Sequence, residues 1–173
     1  MANNAANVRV AISGAFMVAD LGTALPTTAA DTPNVAFKDA GYISEDGITQ
    51  TIDSDTTDIK AWQNGDVVRT IQTSHKVTLQ LTMLETTALT NKIYYADSEA
   101  SATAVKIAGK QAPHQTVILD VLDGDKVIRL CAPDAQVTER GEITYKNEEA
   151  ISYNVTLTCY PDSKGVKLYK YLK

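Results

Sequence analysis

The chain has 173 residues, enough for one domain with a sizeable core, at 44% hydrophobic and 21% charged residues. Two cysteines and two histidines, each isolated, do not make a zinc centre, and a net charge of −5 without a basic patch argues against gripping nucleic acid. No apolar run approaches the ~20 residues of a membrane helix, and Met1-Ala2-Asn3-Asn4 lacks the basic start and apolar core of a secretory signal, so a soluble protein made in a cytoplasm is expected.

Residues 1–7 are small and polar and are expected to form a flexible arm. Val8, Val10, Ile12, Phe16 and Val18 then alternate as a strand, with Gly14 in one inward slot marking a bulge or a close approach. Thr23 to Asn34, rich in Thr, Ala and Pro, reads as a surface loop. A short strand is expected around Gly41–Ser44, followed by an Asp46-Gly47 turn. Strand-like segments at 48–52 and 57–62 flank Asp53-Ser54-Asp55, which reads as a solvated loop.

The stretch from Trp62 to Glu85 carries the clearest pattern in the first half. After the Asn64-Gly65 turn pair, Val77, Leu79, Leu81 and Met83 share one parity and Lys76, Thr78, Gln80 and Thr82 the other. Successive strand side chains point to opposite faces, so this is a strand with one dry face and one wide, polar face. Such a surface suits assembly better than catalysis. Residues 86–95 break the alternation: Thr86 or Thr87 can cap a helix, and Leu89 and Ile93 stripe it. Ala104–Ile107 could form a short strand.

The last third is the strongest β signal. Strands at 116–122 and 126–131 are expected to meet at Asp123-Gly124, and strands at 135–139 and 142–146 at Arg140-Gly141. Ile151, Tyr153, Val155, Leu157 and Cys159 alternate against polar neighbours, mirroring the Lys76–Met83 strand. Cys131 and Cys159 sit in apolar strand patterns and read as buried thiols. Residues 164–173 form a basic, aromatic C-terminal tail. The expected fold is mainly β, an antiparallel sandwich or partly open barrel with one flanking helix and extended arms at both ends.

Nothing in the sequence assembles a catalytic or metal site. Asp53-x-Asp55-x-x-Asp58 invites calcium, but an EF-hand loop would want a ligand at 57, glycine at 58 and glutamate at 64, where Thr57, Asp58 and Asn64 stand. His75 and His114 have no nucleophile motif beside them. The glycines are scattered singly, so no phosphate-cradling loop can be built, and Asn154-Val155-Thr156 fits a glycosylation sequon only in mid-strand. No catalytic residue, cofactor or metal is expected. Charge is uneven instead. Asp31 to Asp66 holds eight carboxylates against Lys38 and Lys60, whereas Lys164, Lys167, Lys170 and Lys173 are the only charged side chains after Asp162. Such asymmetry suggests one end of a subunit meeting the other end of a neighbour.

Five stretches in order resemble the major tail protein, or tail tube protein, of long-tailed phages with flexible, non-contractile tails. They are Gly14–Ala19, Ala36–Gly47, Lys60–Gly65 with Val68–Thr70, Leu81–Thr86, and Tyr153–Thr158 closed by Tyr160-Pro161-Asp162. One departure is that Tyr94-Tyr95-Ala96-Asp97 lacks the glycine expected at the helix exit. The resemblance implies one β-sandwich domain over 1–173 and a structural virion protein assembled in the host bacterial cytoplasm. Its subunits would form hexameric rings stacking head to tail into a tube. The implied partners are other copies of the chain, the tape measure protein in the lumen, and tail terminator and distal tail or baseplate proteins at the ends. DNA would pass without specific binding. Candidate inter-subunit contacts are Asn3, Asn4, Asn7, Asp53, Asp55, Asp58, Trp62, Lys167, Tyr169 and Lys170. Competing readings are a virion decoration or receptor-binding β-domain, or a carbohydrate-binding module. The last has thin support, since Trp62 is the only tryptophan.

Overall fold

A computed structural model of the chain describes residues 3–173. Its strands are β1 (Ser13–Asp20), β2 (Lys38–Asp39), β3 (Ile43–Lys60), β4 (Val67–Met83), β5 (His114–Asp123), β6 (Lys126–Arg140), β7 (Tyr153–Tyr160) and β8 (Tyr169–Leu172). One helix, α1 (Ala88–Tyr95), lies between β4 and β5. The strands make one antiparallel sheet in the order β2-β1-β5-β6-β7-β4-β3, with β8 also on β6. The sheet is not closed, but its two end strands are joined by Ala40-Gly41-Tyr42 alone, which span at most ~15 Å. The sheet must therefore curl until its edges come close. Gly41 takes φ +85°, and the Glu85 carboxylate occupies the space a Cβ would need there; Tyr42 N–H donates to Glu85 Oε1 at 2.9 Å.

The alternation in the 76–83 stretch is the alternation of the core. Val77, Leu79, Leu81 and Met83 are buried and lie opposite Cys159, Leu157, Val155 and Tyr153 of β7. Cross-strand pairs of this kind, all apolar on one face, are what stabilise a sheet. Phe16, Val18, Val117 and Leu119 continue the core across β1 and β5, and Ile93 and Tyr94 of α1 pack on the same cluster. Thr87 caps α1 by accepting from Thr90 N–H at 3.2 Å. The missing glycine at the helix exit is replaced by Ala96 at φ 57°, a strained choice that its burial helps to hold.

A second, smaller core lies on the other face, where Ala19, Phe37, Ile118 and Cys131 are covered by the loop before β2 and by Tyr169 and Tyr171. Under that loop Arg129 and Asp120 form a buried two-point ion pair, with both nitrogen–oxygen distances 2.7 Å. Arg129 also donates to the carbonyls of Thr28 and Asp31, so it fastens the loop to the sheet. Cys131 and Cys159 belong to opposite faces, which rules out a disulfide between them, and burial pushes both thiols up to about 12.

Several expectations are corrected. The first strand begins at Ser13, and Val8, Val10 and Ile12 precede it with their side chains exposed. Asp46-Gly47 is a bulge within β3, not a chain reversal, and Asp53–Asp58 continues the same strand without a loop. The tight turn between β5 and β6 is Gly124-Asp125, one residue later than expected, because Asp123 pairs with Lys126. Arg140-Gly141 is not a hairpin: β6 ends at Arg140 and 142–146 form no strand, nor do 104–107. The irregularity at Pro133 explains why β6 is hard to see, since it puts both Ala132 and Ala135 on the main core face. Within the C-terminal tail, Tyr169–Leu172 form a strand, β8, bound to β6. Of the N-terminal arm, Met1 and Ala2 lie outside the described residues, and Ala5–Asn7 form a single turn of 3-10 helix.

Candidate assembly surfaces

The longest feature of the molecule is a hairpin arm. β3 and β4 stay paired from Ile48–Leu81 out to Lys60–Val67, far past the last buried residue, Val77. Beyond the Asp53–Lys76 pair the arm projects about 25 Å, at ~3.3 Å per residue. It turns at Trp62–Gly65, where Asn64 and Gly65 take φ 62° and 70°, and Trp62 at the tip is 97% exposed. No core holds this arm; β-branched side chains and local bonds do. Thr70 Oγ1 donates to Asp58 and Ser74 Oγ to Asp55, at 2.7 and 2.6 Å. Strand parity puts Asp53 and Asp55 on one face and Asp58 on the other, so the three carboxylates cannot converge on an ion. Among the described residues no cluster of three or more His, Cys, Asp or Glu could hold a metal.

A second surface is the polar face of β4 and β7. Thr78, Gln80 and Thr82 stand opposite Thr158, Thr156 and Asn154. Gln80 donates to Asn154 Oδ1, Asn154 donates to Thr82 Oγ1, and Thr138 of β6 bonds to Thr158. These amides and hydroxyls form an uncharged, hydrogen-bonded ladder on the face opposite the main core. Sequence parity located this face correctly.

The two termini form a third. Arg9 donates to Lys173 O at 2.7 Å, and Val127 and Lys173 exchange backbone hydrogen bonds. Lys167 Nζ donates to His75 O at the root of the arm. Tyr169 donates to Asp162 at 2.6 Å and stacks on Tyr171, so it is part of the fold as well as of the end surface. The candidate contact residues therefore fall into two groups, Asp53, Asp55, Asp58 and Trp62 on the arm, and Asn3, Asn4, Asn7, Lys167, Tyr169 and Lys170 near the termini. Between β1 and β3, where the sheet stays open, is a cleft of about 580 Å³ lined by Ile12, Tyr42, Ile43, Ile48 and the carboxylates of Asp39, Glu45 and Glu85. Ser44 Oγ in its wall is buried and without a hydrogen-bond partner.

Neither histidine has the neighbours of a catalytic base. His114 Nδ1 lies 2.6 Å from Asp134, beside the Tyr160 ring, with no nucleophile against it. His75 is exposed on the arm, across from Ser54. What sequence reasoning missed was structural: the Asp120–Arg129 pair, the length of the arm and the unpaired edge of β3. Only the first had a local signal, a charged residue at an inward position in each of two neighbouring strands.

The comparisons with known proteins agree with this architecture. The phage tail tube protein family matches residues 1–173, and the chain belongs to that family. It is a structural component of the virion tail, not an enzyme. A search of curated protein sequences gave no match. Among solved structures, the chain is similar to one in the sheath–tube complex of an extracellular contractile injection system, PVC, in its extended state. The TM-score is 0.57 at 9% identity, covering 99% of this chain and all of that one. It is also similar to a chain of the tube-terminating cap of the anti-feeding prophage, with TM-score 0.50, 11% identity and coverage of 91% and 88%. At such identities the likeness speaks for the fold.

Proposed function

We propose that the subunit forms hexameric rings that stack head to tail into the tail tube, with the tape measure protein inside before DNA passes. Terminator and distal tail or baseplate proteins would close the two ends. The observation that carries this reading is the β3–β4 arm, a two-stranded projection with no core of its own in a chain of the tail tube family. An arm of that length gains its stability from what it touches, and a neighbouring subunit is the partner the family supplies. Asp53, Asp55, Asp58 and Trp62 would make contacts along it, and the terminal group would meet a different surface of the next ring.

The polar face of β4 and β7 suits the wall of a DNA conduit. Its six paired residues are Thr, Gln and Asn, and Lys76, on the same parity of β4, lies across from Asp53, so phosphates passing it find little to hold them. The net charge of −5 per subunit adds repulsion that keeps DNA from sticking. The test is negative-stain microscopy of the purified protein at rising concentration. Stacked rings or tubes with a central channel and sixfold end views are expected; discrete monomers at every concentration would overturn the reading.

A further inference from the structure

Residues Val8 to Ile12 carry a strand's pattern without a strand's surroundings. Val8, Val10 and Ile12 share one parity, as a half-buried strand requires, yet they are 69, 61 and 71% exposed. The segment stands outside any ladder; Ile12 N–H donates to Leu122 O and Val10 N–H to the Asp123 carboxylate. Its apolar row is written for a partner that one subunit does not provide.

The second observation is the outer edge of β3. This strand ends the sheet, so one side of its 18 residues has no strand beside it. Asp55 turns its N–H and C=O toward β4, where they meet Ser74 Oγ and Thr73 Oγ1. By alternation the backbone groups of Gln50, Ile52 and Ser54 point away from the sheet. Isolated edges are usually blunted with proline or lysine, and β3 has neither before Lys60. Ile52 is 58% exposed on the same face as the core residue Val77 across from it.

Charge selects the occupant. β3 carries Glu45, Asp46, Asp53, Asp55 and Asp58 against Lys60, so two such edges repel each other. In residues 1–12 the only charged side chain is Arg9, which attracts. We infer that residues 8–12 of one subunit add as a strand to the outer edge of β3 in a second copy of this chain. Val8, Val10 and Ile12 then extend the apolar row of Ile48 and Ile52. This rests on the self-assembling tube reading and names the element that would join its subunits. Ala11 and Ile12 line the same cleft as Ile43, Glu45 and Ile48 of β3 within one subunit, so pairing within a chain is the outcome that must be told apart.

Cysteine pairs do this, because Cys131 and Cys159 are buried and stay out of the exchange. Val10→Cys is combined in turn with Gln50→Cys, Thr51→Cys, Ile52→Cys or Asp53→Cys. The assembled protein is oxidised mildly and run on a non-reducing gel. A ladder of covalent multimers is expected for positions 50 and 52 and a much weaker one for 51 and 53, since only one parity shares a face with Val10. Ladders of equal strength at all four positions, or bonds confined to single chains, overturn the inference. Tubes whose subunits run as monomers overturn it too and leave the tube reading standing, whereas protein that neither cross-links nor assembles overturns both.

Discussion

Arg129 shows how one residue holds a loop that has no regular structure. The residue is 6% exposed, its guanidinium paired at two points with Asp120 and capped by two loop carbonyls. Its hydrogen bonds to the Asp120 carboxylate raise the Arg129 pKa further, against the effect of burial, so the guanidinium stays protonated. A buried pair adds little over well-packed apolar residues, but removing one partner strands the other charge. Asp120→Asn is therefore expected to cost about 3–5 kcal/mol, a large part of a typical stability of roughly 5–15 kcal/mol. Urea unfolding measures the loss, and limited proteolysis should cut first within 21–37, the segment Arg129 tethers. A melting point equal to the parent's would mean the loop is held by apolar packing alone, Phe37 within the second core and Leu25 against it.

At the scale of elements, the β4–β7 pair fixes which residues tolerate charge. Leu79 and Leu157 are opposite each other and fully buried, while Gln80 is exposed beside Thr156. Leu79→Asp is expected to abolish folding, because an unpaired buried carboxylate costs several kcal/mol. Gln80→Asp should fold, with circular dichroism like the parent's; a folded Leu79→Asp would refute the register. This pair was legible in the sequence because its burial is one-sided and its parity unbroken. Asp53–Asp58 was not, since aspartate and serine are loop residues by composition and only pairing with β4 makes them a strand. The β6 strand was hidden by the irregularity at Pro133, and β8 by lysines that alternate with tyrosines at an edge. Val8–Ile12 was legible as a pattern, but burial did not follow it within one subunit.

For the whole molecule, the arm is separable from the fold. The curled sheet and its two cores hold the subunit together, and of the arm beyond Asp53–Lys76 only Ala61 and Ile71 are even half-buried. Replacing 55–74 with Asn-Gly should shift the melting temperature by only a few degrees, yet stop tube growth as followed by sedimentation and microscopy. Tubes growing from the shortened protein would place the junction elsewhere. The features themselves were partly readable: polar parity marked the face of β4 and β7, and the acidic run and the lysines fall on the arm and the C-terminal segment. Their arrangement was not, because Arg9 meets Lys173 across almost the full length of the chain.

The arm also has a mechanical consequence. A pull on Trp62 along the arm travels down two unbroken backbones into β3 and β4, one at the edge of the sheet and the other next to it. The hydrogen bonds between the strands are not in that load path, so tension leaves them intact and is delivered to the Leu79–Leu157 region of the core. A sideways pull peels them one pair at a time. An arm built this way is a tether, stiff when stretched and compliant when bent.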